Sequence, residues 1–384
     1  MEHAERIKRL PPYVFAEISR KKKEAMAAGK KLIDLGIGDP DRPTPPRILE
    51  FIKEASDNAE NHRYPIGAGS RVFREAAAGW MAKRFDARLE DDEIVALIGA
   101  KDGITHLPLA YVNPGDVVLI PDPGYPGYIA GTIMAGGEPY MMPLSKENGF
   151  LPDLDAIPAD IYKRAKIMWL NYPNNPTSAM ADFTFYEDAV SRAKKYDFLI
   201  AQDAPYSEIY FREAPISMLE IQDAKKHVIE FYSMSKTYNM TGWRVGFAAG
   251  SKEAVNSLLT VKENMDSGTV SALQAASARA LLECDKEAAD IRALYKKRAE
   301  AGFDALKAAG YSPLEAKATM YLWVDVPAGF KSMNFCARAL DEAEVVITPG
   351  IGFGPSGDGY FRIALTVEEE IMLEAISRLK GIKI

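Results

Sequence analysis

Five short polar segments in this 384-residue chain carry residue types that chemistry needs, and each follows directly on an apolar run. Gly99-Ala100-Lys101 follows 94–98, and Pro121-Asp122-Pro123-Gly124-Tyr125-Pro126 follows 117–120. Asn171-Tyr172-Pro173-Asn174-Asn175-Pro176-Thr177 follows 167–170, Gln202-Asp203-Ala204-Pro205-Tyr206 follows 198–201, and Ser233-Met234-Ser235-Lys236 follows 228–232. Singly, each has an ordinary explanation: Asn-Pro pairs form turns, a carboxylate after a strand caps a helix, and a lysine after serines is solvated. Together they offer an acid, an amide, two tyrosines, two serines and a lysine. That set suits a phosphorylated pyridinium aldehyde. Such a ring needs an anion beside its nitrogen, a flat face against it, donors to its phenolate oxygen and an amine for its aldehyde. Its phosphate needs a nest of N–H, hydroxyl and guanidinium groups.

The elements that would position these residues are also legible. Apolar runs at 94–98, 117–120, 139–142, 167–170, 198–201, 228–232 and 245–249 are mostly separated by helical patterns such as 183–195. Strands alternating with helices predict a largely parallel sheet, with ligands beyond the carboxyl ends of its strands. The chain ends differ. An amphipathic helix is predicted over 14–28 and a Gly/Pro-rich crossing over 34–46; beyond about 285, charged helices (287–309) precede strands at 321–326, 345–348 and 360–365. A last helix has Thr366 and Glu369 at capping-box spacing. We expect a large α/β domain over 47–280 and a small α+β domain formed by 1–46 and 281–384.

Composition excludes other classes. With 47 Lys+Arg against 54 Asp+Glu, and the basic residues scattered, the chain lacks the positive stripe that nucleic acid requires. No run of about 18 apolar residues occurs, so no membrane span is expected. Cys284 and Cys336 are isolated, which fits a cytoplasmic protein, and His62, His106 and His227 are too dispersed to predict a metal site.

The motif Ser233-x-Ser235-Lys236 with Arg244 eight residues later, together with NYPNNPT, DAPY, PDPGYP and YFRIAL in that order, resembles the fold-type I pyridoxal-phosphate aminotransferases of class I/II. The segments PPYVFAEISRKK, DLGIGDPD, SKTYNMTGWR and TPGIGFGPSGDGYFRIALT are similar to the LL-diaminopimelate aminotransferase group. The resemblance implies a mostly parallel central sheet sandwiched by helices, pyridoxal 5′-phosphate as cofactor, and ping-pong transfer of an amino group to a 2-oxo acid such as 2-oxoglutarate through an aldimine at Lys236. On that resemblance, Lys236 holds the cofactor aldehyde and then shuttles the substrate's α-proton, Asp203 pairs with the ring nitrogen, and Tyr206 and Asn175 donate to the phenolate oxygen. Tyr125 stacks on the ring. Ser233, Ser235, Arg244 and the N–H groups of Ala100 and Lys101 cradle the phosphate. Tyr64 reaches the phosphate of a neighbouring subunit, which makes the working unit a homodimer. For the substrate, Arg362 takes the α-carboxylate, Gly38 lets the backbone approach it, Asn175 adds a contact, and Tyr13, Lys101 and Tyr125 face its far end.

LL-2,6-diaminopimelate, of lysine biosynthesis, is the first substrate expected. Ala68, however, stands where that group carries a glutamate toward the distal ammonium, and Ser178 replaces a glycine after NPT, so an aspartate- or alanine-type aminotransferase or a C–S lyase stays open. Gly352-Phe353-Gly354-Pro355-Ser356-Gly357 matches the dinucleotide fingerprint G-x-G-x-x-G, but it leads into a strand instead of a helix and predicts no pyrophosphate site.

Overall fold

The computed structural model describes residues 1–11 and 14–382. Its centre is a seven-stranded sheet. The strands of the chain are β1 (Ile33–Asp34), β2 (Ile94–Leu97), β3 (Val117–Asp122), β4 (Glu138–Pro143), β5 (Ala165–Leu170), β6 (Leu199–Asp203), β7 (Val228–Ser233), β8 (Gly246–Gly250), β9 (Tyr321–Asp325), β10 (Val345–Val346), β11 (Thr348–Pro349) and β12 (Tyr360–Ala364). The central order is β2-β8-β7-β6-β5-β3-β4, with only β8 running against the rest. Strands β3, β6 and β7 are buried along their whole length. Helices cover both faces of the sheet, which is why these strands read as unbroken apolar runs and not as alternating patterns.

Because β2, β3, β5, β6 and β7 share one direction, the five polar segments emerge from one edge of the sheet. Arg244 arrives at that edge from the opposite sense, immediately before β8. Helix ends are fixed locally: Ser70 caps Arg71–Phe85 by accepting from the Phe73 N–H, and Asp182 caps Phe183–Tyr196 by accepting from Phe185 N–H.

A second, smaller core lies around an antiparallel sheet, β11-β12-β9, joined by the parallel pair β1–β10. The chain's beginning is stitched to its end there: Leu35 N–H donates to Val346 O at 2.8 Å, and Ala364 N–H donates to Leu35 O at 2.7 Å. The structure corrects two sequence expectations in this region. The 345–348 run is two separate strands, β10 and β11. The last helix, Glu369–Leu379, begins after Glu368 with no side-chain cap. Thr366 is drawn away from that helix because its hydroxyl donates to Ile37 O at 2.6 Å, holding the crossing segment instead.

Candidate active site

A cavity of about 730 Å³ opens at the carboxyl edge of the central sheet and is closed on its far side by residues of the small sheet. Its floor is Asp203, the last residue of β6. One carboxylate oxygen, Oδ2, accepts from the Tyr128 hydroxyl at 2.7 Å, while Oδ1 is buried without a hydrogen-bond partner. Burial pushes the Asp203 carboxyl up to about 7, against the downward pull of the Tyr128 hydrogen bond. A cationic N–H directed at Oδ1 would satisfy that oxygen and restore the charge. Lys236 follows β7 by three residues, and its Nζ donates to Gly38 O at 2.7 Å.

Beside the lysine lies an anion cradle. The helix Ala100–Tyr111 opens at Gly99, so its first N–H groups have no partners within the helix, the usual basis of a phosphate site. Ser235 Oγ is buried there with no partner. Arg244, in the left-handed conformation at φ 56°, donates to Thr241 O at 2.9 Å, and Gly99 is required beside it. A Cβ on Gly99 would lie 2.4 Å from the Arg244 guanidinium. The unpaired carboxylate oxygen, the unpaired serine hydroxyl and the glycine-cleared arginine together fit pyridoxal 5′-phosphate.

Opposite the cradle stands Arg362, on β12. The guanidinium is buried with no acidic partner among the described residues: Nη1 donates to Asn175 Oδ1 at 2.8 Å, Nη2 donates to Gly36 O at 2.9 Å, and Nε has no partner. Two aromatic rings flank it, Tyr321 at 4.0 Å and Phe353 at 4.8 Å. Burial pulls its pKa below the ordinary arginine value. An arginine so placed is suited to forking onto a carboxylate entering from the cavity.

The residues singled out from sequence divide as follows. Gly38, Ala100, Lys101, Tyr125, Asn175 and Asp203 line the cavity, as do Tyr206, Ser233, Ser235, Lys236, Arg244 and Arg362. Tyr64 does not line it; it stands 90% exposed on a surface loop. Tyr13 lies outside the described residues. Gly38 has a reason beyond substrate approach, since a Cβ there would sit 2.1 Å from the Tyr321 hydroxyl. Ser178 takes φ 62°, and its hydroxyl and the backbone of Ala318 exchange hydrogen bonds. His106 is less isolated than its place in the sequence suggests, for Nδ1 lies 2.6 Å from Asp102, a carboxylate also paired with the buried Lys262.

Three residues escaped the sequence reading. Tyr128, buried against Trp169 at 4.9 Å and nearly parallel, holds Asp203. Tyr321 meets the Tyr206 hydroxyl at 3.0 Å, and Asn171 joins two polar segments by donating to Asp203 O at 2.6 Å and accepting from Asn175 N–H at 2.9 Å. Tyr128 and Tyr321 read as ordinary core aromatics. Asn171 had a signal, its place directly after a strand.

The chain is 52% identical to an LL-diaminopimelate aminotransferase of Aquifex aeolicus (strain VF5), across 100% of both chains. It is 47% identical to one of Moorella thermoacetica, covering 100% of this chain and 98% of that one. Among solved structures, substrate-bound BacF from Bacillus subtillis superposes with a TM-score of 0.95 at 35% identity, covering 99% of this chain and 97% of that one. A double mutant of Thermus thermophilus aspartate aminotransferase gives 0.93 at 25% identity, covering 99% of each. The profile of aminotransferase class I and II matches residues 30–379. A cavity fitted to pyridoxal 5′-phosphate at one end and to a carboxylate at the other, in a chain matched over nearly its whole length, is thus that of a pyridoxal-phosphate-dependent transaminase, and the chain belongs to the aminotransferase class I and II family.

Proposed function

We propose that this aminotransferase takes LL-2,6-diaminopimelate as amino donor and 2-oxoglutarate as acceptor. The observation that carries the reading is the full-length identity of 46–52% to relatives that bear the diaminopimelate name. Supporting it, Lys101 and Tyr125, the residues expected to face the far end of the substrate, line the same cavity as Arg362. Ala68 supplies no charge for the distal ammonium, so donor choice is the point to test. Single-turnover conversion of the holoenzyme by a panel of amino acids, followed by the cofactor's visible absorbance, tests it directly. LL-diaminopimelate is expected to react fastest; equal or faster rates with aspartate or alanine would overturn the assignment.

The geometry supports the following residue roles. Arg362 binds the α-carboxylate, with Asn175 and the Gly36 carbonyl fixing the guanidinium plane. The Asp203 carboxylate, oriented by Tyr128, holds the proton of the ring nitrogen. Ser233, Ser235, Arg244 and the N–H groups of Ala100 and Lys101 bind the phosphate, and Tyr125 supports the ring face. When bound, pyridoxal 5′-phosphate would supply a sink for the electron pair released with the substrate's α-proton. Lys236 Nζ is the base that removes this proton and returns it, and Gly38 O is placed to accept from the free amine. Tyr206, its hydroxyl beside that of Tyr321, donates to the ring's phenolate oxygen.

Among the described residues no helix is long and apolar enough to cross a membrane, and a cytoplasmic enzyme is the corresponding proposal. Its two parts are 47–280 and the paired ends 1–46 and 281–384. The working unit is a homodimer. Supporting this, Tyr64 and Ile66 are exposed on a loop that meets the segment after the helix Lys252–Met265, where Gly268 approaches Pro65 and where Met265 and Val270 are also exposed. Mixing Tyr64→Phe with Lys236→Ala subunits would raise activity above the sum of the two variants measured separately, because one site of each hybrid is complete.

A further inference from the structure

The glycine-rich segment 350–357 has the spacing of a dinucleotide fingerprint but no helix to serve one. It forms a strap of two tight turns, Gly350–Phe353 and Pro355–Gly357, between β11 and β12, and its residues Ile351 to Pro355 form part of the cavity wall. The strap's anchor lies outside its own sheet. Asp122, at the carboxyl end of β3 and 3% exposed, accepts from Ser356 N–H at 3.1 Å (Oδ1) and 3.2 Å (Oδ2), and from the Ser356 hydroxyl at 2.8 Å (Oδ2). Among the described residues, that carboxylate has no other hydrogen-bond partner. Gly354 (φ 134°) makes the approach possible, since a Cβ there would fall 2.1 Å from Asp122 Oδ1. A second tie runs from Gly124 N–H to Phe353 O at 2.8 Å. Phe353, whose carbonyl makes the second tie, sets its ring 4.8 Å from the Arg362 guanidinium and edge-on to Trp323 at 6.0 Å.

Asp122 is also three residues before Tyr125, in the same turn. One side chain therefore joins the segment bearing the ring-facing tyrosine to the strap bearing the neighbour of the carboxylate-binding arginine. A solely structural tie between two sheets would not need to be ionisable, or to be surrounded by groups of the cavity wall. A carboxylate does have a use here, because an anionic acceptor forms shorter and stronger hydrogen bonds than a neutral one and so fixes the strap more closely.

We infer that Asp122 is a positioning residue which clips the 350–357 strap to the sheet edge and so sets the wall that Phe353 presents to Arg362, a role that rests on Arg362 being the substrate-carboxylate group. The clip governs binding of the substrate's carboxylates while leaving the phosphate cradle untouched.

The test uses holoenzyme of wild type, Asp122→Ala, Asp122→Asn, Ser356→Ala and Arg362→Lys. Three quantities are measured: the dissociation constant of succinate, an unreactive dicarboxylate, from the absorbance of bound cofactor; KM and kcat for the best amino donor; and cofactor affinity. Asp122→Ala is expected to weaken succinate and raise KM about tenfold, the weight of one charge-assisted hydrogen bond, with cofactor affinity kept within about twofold. Ser356→Ala, which keeps the backbone N–H bonds, should weaken succinate about threefold, and Asp122→Asn should recover only part of the loss, since an amide oxygen still accepts from Ser356 N–H but lacks the charge that strengthens the bond. Wild-type succinate binding and KM in Asp122→Ala, with only melting temperature lowered, would overturn the clip. If Asp122→Ala does not fold, wild-type succinate affinity in Ser356→Ala overturns it instead. Arg362→Lys separates the two ideas: unchanged succinate binding there would sink the carboxylate reading itself, whatever Asp122 does.

Discussion

At the cofactor end of the cavity the chief polar groups stand on one frame. Asp203, Ser233 and Lys236 end or follow neighbouring strands, and Gly99 and Arg244 flank the antiparallel neighbour β8. At the substrate end Arg362 is held by groups from four separate stretches of chain: Gly36 in the crossing segment, Asn175 after β5, Tyr321 on β9 and Phe353 on the strap. The contrast is between a rigid floor and an assembled wall. A site whose parts share one sheet tolerates little change in any part, whereas one assembled from distant segments can be retuned by altering its ties. Loss of a reacting group of the floor should therefore abolish chemistry, whereas variants at the wall should change substrate binding.

The strongest test of the floor is Lys236→Ala. Losing the amine proposed to move the α-proton should lower kcat by at least about 10⁴-fold, and borohydride reduction of the holoenzyme should no longer leave the cofactor on residue 236. Appreciable turnover in this variant would place the base elsewhere.

Asp203→Asn comes next, with kcat expected to fall about 10³-fold, as for removal of one fixed electrostatic partner. It also carries a pH signature in the cofactor-free protein. The folded chain holds this carboxyl's proton up to about pH 7, while the ordinary value is 3.8. The associated stability is fully present below about pH 4 and is lost as pH rises through about 7. The melting temperature of the wild type minus that of Asp203→Asn should accordingly fall across this window. A flat difference would mean that burial does not disfavour the Asp203 charge.

How far these two regions could be read from sequence follows the same division. The floor was legible because its residues lie in short motifs directly after strands, where Ser233, Ser235, Lys236 and Arg244 occupy only twelve positions. Arg362 was also legible, as a charge inside an apolar strand. Its surroundings were not, since nothing local in Tyr321, Phe353 or Gly36 announces that they meet around one guanidinium. The Thr366–Glu369 spacing misled for a related reason: a tertiary bond from Thr366 to Ile37 prevailed over a local cap. Ile37 lies 329 residues away in the chain, and no window on the sequence contains both.

The wall's own test is Arg362→Lys. A lysine keeps the charge but loses the planar fork, so KM for both amino donor and 2-oxo acid should rise about 30- to 100-fold, with a smaller fall in kcat. A kcat effect larger than the KM effect would move Arg362 from the wall to the floor and break the contrast.

The smallest expected effect, and the one that probes the floor most finely, comes from Tyr128→Phe. The ring is stacked on Trp169 and meets Tyr125 edge-on at 5.6 Å, contacts that phenylalanine preserves. Only the hydroxyl bond to Asp203 Oδ2 is lost. That bond lowers the pKa of Asp203 against the upward push of burial, so its removal should raise the pKa further and make the ionised carboxylate harder to form beside the ring nitrogen. A hydrogen bond to a charged group contributes about 1.5–3 kcal/mol, part of which a replacing water returns, so cofactor affinity should fall about three- to tenfold. The loss should be greatest at low pH, where Asp203 is already protonated in part, and should shrink as pH rises and the carboxylate ionises without help. Spectrophotometric titration of the cofactor-free protein between pH 6 and 9 would show it. If the affinity ratio of wild type to variant stays constant over that range, Tyr128 acts by packing alone, and the floor owes its charge state to burial and the cofactor instead of to its own hydrogen bonds.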